Sequence, residues 1–347
     1  MADSPRRWQP GELANAVQEH MGELTDARNT GASLANFERN LAHVGKGRSI
    51  AELRGADFGK SDRAVVAAAG PSMHRVNPFP SLLGRKYDGA VIATDSAMLR
   101  CLRNGIVPDL VVTLDPNDAA IVRWFGDPAL DATALKDDYF RRQDMDKLFH
   151  DEMRTNREIM ELLGRYGPQI RIALSTSAGE RVVQRVLDCG MQIYWFNPMI
   201  DDPDRENGHS QRMFRANGLP LINCGGNVGT ACWMIADAVL GRRHVALTGM
   251  DFSYYDDTPY SSTQYYHVSR ELVGDDNLDA LFVRIFNPYL QKWFYTDPAY
   301  LWFRNSFLQL VADADCTTYN CTGGGILFGD HIEFVSMDDF ITRSQGS

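Results

Sequence analysis

Carboxylates recur in this chain just after short apolar runs, and that placement gives them chemical interest. The run Val65–Ala69 leads into Gly70-Pro71-Ser72, and the run ending at Thr94 leads into Asp95-Ser96. The run ending at Leu114 is followed by Asp115-Pro116-Asn117-Asp118, and "HVALT" by Gly249-Met250-Asp251-Phe252-Ser253. As strands of one parallel sheet, these runs would deliver all of those residues to the crevice outside the carboxyl ends, where open α/β sheets bind ligands. Glycine there permits close backbone approach to a ligand, and a carboxylate there can accept a proton or ligate a metal. Each residue also has a plainer reading. Gly70 serves equally as a turn glycine, and Asp95 and Asp251 as helix N-caps, a position that Asp and Ser favour. Capping alone does not require carboxylates after three different strands.

Two glycine-rich stretches add to the set. In "LINCGGNVGTACWMIADAVLG", Gly225-Gly226-Asn227 precedes a helix of small and apolar residues, whose first amides and dipole would make an anion site. A glycine turn packed on a neighbouring strand is the alternative. Near the C-terminus, "TTYNCTGGGILFG" joins Asn320 and Thr322 to three consecutive glycines. His267, in "TQYYHVSRE", falls in an expected loop and is the candidate general base, with a purely structural role as its alternative. Tyr265, Tyr266, Tyr300 and Trp302 either grip an acceptor or belong to the core.

The elements that must position these residues follow from periodicity. Residues 1–62 have apolar residues at helical spacing and predict a helical lead-in. From Val65 onward, apolar runs at 65–69, 89–94, 110–114, 170–174, 192–196 and 244–248 alternate with helical stretches. That alternation predicts an α/β fold, with βα units and a mostly parallel sheet carrying helices on both faces, over residues 63–342. Residues 127–167 are strongly charged and predict a helical insertion; residues 280–312 are rich in aromatics and predict a helical C-terminal cap.

Composition narrows the function. The 347 residues are 44% apolar with net charge −10, which argues against nucleic acid as a partner, because a phosphate backbone needs clustered Lys and Arg. The six cysteines form no CxxC and no compact His/Cys cluster at zinc spacing, so buried thiols are expected. No apolar run reaches membrane-spanning length and the first residues lack a signal-peptide core, so a cytoplasmic protein is expected. No P-loop, GxSxG elbow, HExxH or complete GxGxxG occurs, which removes the common ATPase, hydrolase, zinc-peptidase and dehydrogenase readings.

In order and spacing, "NFERNL", "VVAAAGPSM", "IATDSAMLRCLRNGIVPDLVVTLDP", "GGNVGTACWMIADAVLGRRHVALTGMDFSY" and "YNCTGGGILFG" resemble the motility accessory factor (Maf) glycosyltransferases. They equally resemble the wider family described as 6-hydroxymethylpterin diphosphokinase MptE-like. The resemblance covers roughly residues 36–342 and implies a Rossmann-like domain similar to that of bacterial sialyltransferases. It further implies transfer of a CMP-activated nonulosonic acid, of the pseudaminic, legionaminic or sialic type, to a protein hydroxyl such as that of flagellin, with no tightly bound cofactor. Carried over, Gly70, Pro71 and Ser72 would line the nucleotide site with Asp95, Ser96, Asp115 and Asn117 beside it. Gly225, Gly226 and Asn227 would meet phosphate or donor sugar, Asp251 would close the site, and Asn320 and Thr322 would complete it. The same scaffold also resembles the pterin and thiamine pyrophosphokinases, in which Asp95, Asp109, Asp115 and Asp118 would hold Mg²⁺ and ATP. "TLDP" departs from the metal-binding patterns of those kinases. A non-catalytic nucleotide-sugar binding protein is the third reading.

Overall fold

The computed structural model describes residues 9–130 and 151–343. Residues 1–8 of the expected lead-in and 131–150 of the expected insertion lie outside the described residues. The strands are β1 (Arg48–Ser49), β2 (Arg63–Ala67), β3 (Ala90–Thr94), β4 (Leu110–Thr113), β5 (Arg171–Ser175), β6 (Gln192–Pro198) and β7 (Leu221–Ile222). They continue with β8 (His244–Thr248), β9 (Tyr254–Tyr255), β10 (Val283–Asn287), β11 (Lys292–Thr296), β12 (Thr317–Asn320) and β13 (Ile332–Phe334). The helices are α1 (Ala14–Glu19), α2 (Met21–Asn40), α3 (Phe79–Gly84), α4 (Asp95–Arg103), α5 (Asp118–Ile121) and α6 (Glu152–Tyr166). After them come α7 (Glu180–Asp188), α8 (His209–Asn217), α9 (Val228–Met234), α10 (Tyr266–Val273), α11 (Pro298–Ala312) and α12 (Met337–Arg343).

The main sheet is parallel, in the order β1-β6-β5-β4-β3-β2-β8-β12-β13, with β7 pairing β6 beyond this path. Its central strands read as continuous apolar runs because both faces are covered: β2, β3 and β4 are buried at every residue. The pleat assigns alternate residues to opposite faces. Val66, Ile92, Val112 and Leu247 pack under α9 and α11 through Trp233, Phe303 and Phe307. Val65, Val91 and Ala246 face α3, α4 and α12 through Phe79, Cys101 and Phe340, while Val111 and Ile172 face α6 and α7. The α/β architecture with helices on both faces is therefore the one the alternation predicts.

The strand order reverses at β2. Strands β3 to β6 build outward on one side, and β8 returns to pair β2 on the other, which makes the β2/β8 border a topological switch point. The pairing continues beyond the strands, with the Ala68 amide donating to the Thr248 carbonyl (2.9 Å) and the Gly70 amide to the Gly249 carbonyl (2.8 Å).

Two regions differ from the sequence expectation. The 1–62 region is more than a helical lead-in, because Arg48 and Ser49 pair in register with Tyr194 and Trp195 to form the sheet edge. Its α2 also docks on the sheet: Asn36 Nδ2 donates to the Pro116 and Ser177 carbonyls, and Asn40 Nδ2 to those of Thr176 and Ala178. The second difference is the expected all-helical cap at 280–312, whose first half is a β-hairpin. Strands β10 and β11 pair antiparallel, β9 extends them to a three-stranded sheet, and only then does α11 begin. The period-2 alternation of "VRIFN" outweighs its aromatic density, and Asn287 Oδ1 closes the turn by accepting from the Tyr289 and Leu290 amides. Asp297 then caps α11 by accepting from the Tyr300 amide.

Candidate functional site

A cavity of about 880 Å³ opens at the carboxyl ends of β2, β3, β4 and β8. Gly70, Pro71, Asp95, Ser96, Asp115, Asn117, Gly225, Gly226, Asn227 and Asp251 all border it. The structure thus brings ten of the sequence candidates, from the ends of four apolar or β-strand runs and the glycine turn before α9, to one space.

Asp251 stands at the switch point. It is buried, its Oδ1 accepts from the Ser72 amide (3.0 Å) and its Oδ2 from the Ser72 hydroxyl (2.8 Å). Burial disfavours the charged form and pushes its pKa up to about 7, against the two Ser72 hydrogen bonds that favour ionisation. A carboxyl poised there exchanges a proton near neutrality. The surrounding backbone is unusual. Gly249 has φ 72, and a Cβ there would collide with the Ala68 carbonyl, while Phe252 adopts φ 50, which a bulky residue rarely does. Strained backbone of this kind collects at functional sites.

Asp95 is a second buried carboxyl on the wall. Its Oδ1 accepts from the Ser96 amide (2.7 Å) and its Oδ2 from the Thr113 hydroxyl (2.7 Å), which ties β3 to β4. Burial pushes its pKa up to about 6, aided by the negative Asp115. The N-cap of α4 is Thr94, so Asp95 is not the capping residue. Asp115 accepts from the Asn117 amide, and Asn117 Oδ1 caps α5 by accepting from the Ala120 amide.

Beyond β7, Gly225 and Gly226 (φ 51 and 80) turn the chain into α9, which Asn227 caps through the Thr230 amide (2.9 Å). Gly226 lies flat against the Trp302 ring, where a Cβ would collide. Among the described residues no lysine or arginine borders the cavity. An anionic ligand group would meet backbone amides, hydroxyls and carboxamides rather than a cation.

Other sequence candidates fall outside this wall. Ser72 is fully buried behind Asp251. His267, expected in a loop, lies in α10, and its neighbours Tyr265 and Val268 border the cavity while His267 does not. Asn320 and Thr322 are buried beneath the site, with Asn320 Nδ2 donating to the Leu327 carbonyl and its Oδ1 accepting from the Thr322 amide. The glycines after them approach protein, not ligand space: Gly325 packs on the Asp251 backbone and Gly324 on Ser72 and Tyr255.

The magnesium set does not converge. Asp109 precedes β4 at the opposite end of the sheet, where its Oδ2 accepts from the Val91 amide. Asp118 accepts from the Arg181 and Val182 amides at the start of α7. Among the described residues no group of three or more His, Cys, Asp or Glu is placed to hold a metal ion.

Several wall residues escape sequence reasoning. Asn29, Thr30 and Ser33 of α2 border the cavity, as do Ser177, Asn223 and Gln264. Helical periodicity in 1–62 says nothing about where that helix docks; the signal was Asn36 and Asn40, polar residues on its inward face. Of the aromatic candidates, Tyr265, Tyr300 and Trp302 border the cavity, and Tyr300 donates to Gln264 Oε1 (2.6 Å). No helix among the described residues is long and apolar enough to cross a membrane.

Residues 35–132, which carry Gly70, Asp95 and Asp115, match the family described as 6-hydroxymethylpterin diphosphokinase MptE-like. No match is found among curated proteins. Among solved structures the chain is similar to the Maf glycosyltransferase of Magnetospirillum magneticum AMB-1, at 14% identity and a TM-score of 0.50. The likeness covers 97% of this chain and 50% of that one, so this chain spans about half its length. The chain thus carries an MptE-like segment at residues 35–132 and is built on the fold of a Maf glycosyltransferase.

Proposed function

We propose that the protein is a glycosyltransferase that binds a nucleotide-activated sugar in the cavity at the β2/β8 switch point and transfers it to a hydroxyl. The observation that carries the reading is Asp251, a buried carboxyl with a pKa of about 7 on the wall of a cavity whose size suits such a donor. As the acceptor oxygen attacks the anomeric carbon, the bond from that carbon to the phosphate oxygen breaks and the nucleotide leaves with the electron pair. The acceptor proton passes to Asp251, which replaces His267 as the base because it borders the cavity and His267 does not. Ser72 positions the carboxylate with two hydrogen bonds.

A CMP-activated nonulosonic acid is the donor we favour. It carries one phosphate, and among the described residues no lysine or arginine borders the cavity to balance a triphosphate. The dispersed carboxylates likewise weigh against the ATP and magnesium chemistry of a pyrophosphokinase. The acceptor in this reading is a protein hydroxyl, with flagellin one such protein, and the reaction is cytoplasmic. The test is calorimetry with CMP, CDP, ATP, ADP and GDP, each with and without Mg²⁺. Metal-independent binding of CMP supports the reading, and metal-dependent binding of ATP with no response to CMP overturns it.

A further inference from the structure

We propose that Ser177 is a specificity-determining residue whose hydroxyl meets a neutral hydroxyl or carboxamide group of the bound ligand. Ser177 is 1% exposed, borders the cavity, and its Oγ has no hydrogen-bond partner in the protein. A buried hydroxyl without a partner is costly, so a ligand group that satisfies it gains what the empty protein lacks.

The backbone around Ser177 is committed. The Ser177 amide donates to Ser175 Oγ (3.0 Å) and its carbonyl accepts from Asn36 Nδ2 (3.0 Å). The adjacent carbonyls of Thr176 and Ala178 accept from Asn40. Asn36 and Asn40 of α2 thus fix the backbone on either side of the hydroxyl. Trp124, Ile121 and Asn117 line the same cavity.

Charge selects the class of group. Ser177 lies just before α7, whose N-terminal dipole would otherwise attract an anion. That end is already occupied by the Asp118 carboxylate, bonded to the Arg181 amide (2.8 Å), and Asp115 stands on the same wall. Asp115 and Asp118 disfavour a further anion there, the Arg39 guanidinium on the Ala178 carbonyl (3.2 Å) offsets part of that charge, and a sugar hydroxyl or an N-acyl group can both donate and accept without adding charge. The end of β5 lies three strand spacings from β2, about 14 Å at the usual strand separation. A group at Ser177 therefore belongs to the part of the ligand remote from the switch point.

The inference rests on the nucleotide-sugar reading for its probes. Wild type, Ser177→Ala and Ser177→Cys are compared by scanning calorimetry without ligand and by titration with CMP, CMP-N-acetylneuraminate and UDP-N-acetylglucosamine. We expect Ser177→Ala to raise the ligand-free Tm by about 1–3 °C, since it removes an unsatisfied hydroxyl, and to weaken the bound probe about 3- to 10-fold. Ser177→Cys, a weaker donor, falls between. Weakening of the sugar nucleotide but not of CMP assigns the partner group to the sugar, and equal weakening of both assigns it to the nucleotide. Unchanged affinity for every probe that wild type binds, or a lowered ligand-free Tm, overturns the proposal, because the hydroxyl is then satisfied without ligand. Where wild type binds none of the probes, the donor reading fails by itself, and the ligand-free Tm still decides for Ser177.

Discussion

The Ser72 amide and hydroxyl both donate to the Asp251 carboxylate, at 3.0 and 2.8 Å, across 179 residues of sequence and the β2/β8 border. The two bonds favour the ionised form that burial opposes, so the pair sets where Asp251 titrates. Ser72→Ala removes the hydroxyl bond and lets the pKa rise further. The acid limb of the pH–rate profile should then move up by about one pH unit, the equivalent of one hydrogen bond. Activity at neutral pH falls while activity at alkaline pH recovers. A profile that scales down equally at all pH values would assign Ser72 a role in packing alone.

Asp251→Asn tests the base and the energetics together. Loss of a general base lowers the turnover rate by about 10²- to 10⁴-fold with modest change in donor affinity. Stability moves the other way. Asp251 has a folded pKa near 7, above the usual carboxylate value, so the native state holds its proton more tightly than the unfolded chain. That contribution is complete at low pH and is lost as pH rises through 7. Asp95 and Asp297, both near 6, add the same sign at slightly lower pH. The wild-type Tm should therefore fall between pH 5 and pH 8. The amide variant escapes a penalty on the order of 4 kcal/mol at pH 8. Denaturation of both proteins at the two pH values measures it.

Gly70→Ala probes the closeness of β2 and β8. Gly70 has an ordinary φ of −62, so no backbone strain enters, but its Cβ would collide with the Asp251 carboxylate and the Gly249 carbonyl. Neither neighbour can withdraw, since one is backbone and the other is held by Ser72. Overpacking of this kind costs about 1–3 kcal/mol and displaces Asp251. The expected outcome is a folded protein of lowered Tm whose turnover is lost more completely than its stability.

How much of this arrangement could be read in the sequence depended on the kind of order involved. Strands β2, β3, β4, β5, β6 and β8 are apolar runs buried on both faces, and the residues after them reach the cavity because parallel strands all end on one side. Asp109 shows the limit of that reasoning, since it is close to Asp115 in sequence yet lies at the other end of β4. The placement of α2 depends on side-chain bonds from Asn36 and Asn40 to loops more than 70 residues away, for which periodicity carries no information. The hairpin at β10 and β11 was hidden by aromatic density, which signals burial without specifying period. The glycines at 323–325 imply close approach to a ligand when read from sequence alone, whereas what approaches them is Asp251, Ser72 and Val76 of the protein itself.

Asn40→Ala addresses that α2 contact directly. Asn40 is fully buried and its Nδ2 donates to the Thr176 and Ala178 carbonyls at 2.9 and 2.8 Å. Truncation takes the donor from the Thr176 carbonyl, at about 1–3 kcal/mol, while Arg39 Nη2 (3.2 Å) still reaches the Ala178 carbonyl. The loop carrying Ser177 is then released from one side. A lowered Tm with weakened donor binding and an unshifted acid limb is the expected combination, because Asp251 is anchored on β8 and not on this loop. A shifted acid limb would instead mean that α2 controls the environment of Asp251.

The dispersal of the strand-end carboxylates leads to the last expectation. Asp109 is bonded to the Val91 amide at the amino end of the sheet, and Asp118 to the first amides of α7. Asp109→Asn should leave turnover and donor affinity unchanged. Asp118→Ala should cost about 1 kcal/mol of stability through the loss of helix-terminal bonds. If Asp95 and Asp115 act without a metal ion, activity measured in excess EDTA equals that measured in added Mg²⁺. A strict requirement for Mg²⁺, abolished together with Asp95→Asn, would instead make the buried carboxyl at β3 a ligand and return the site to pyrophosphoryl chemistry.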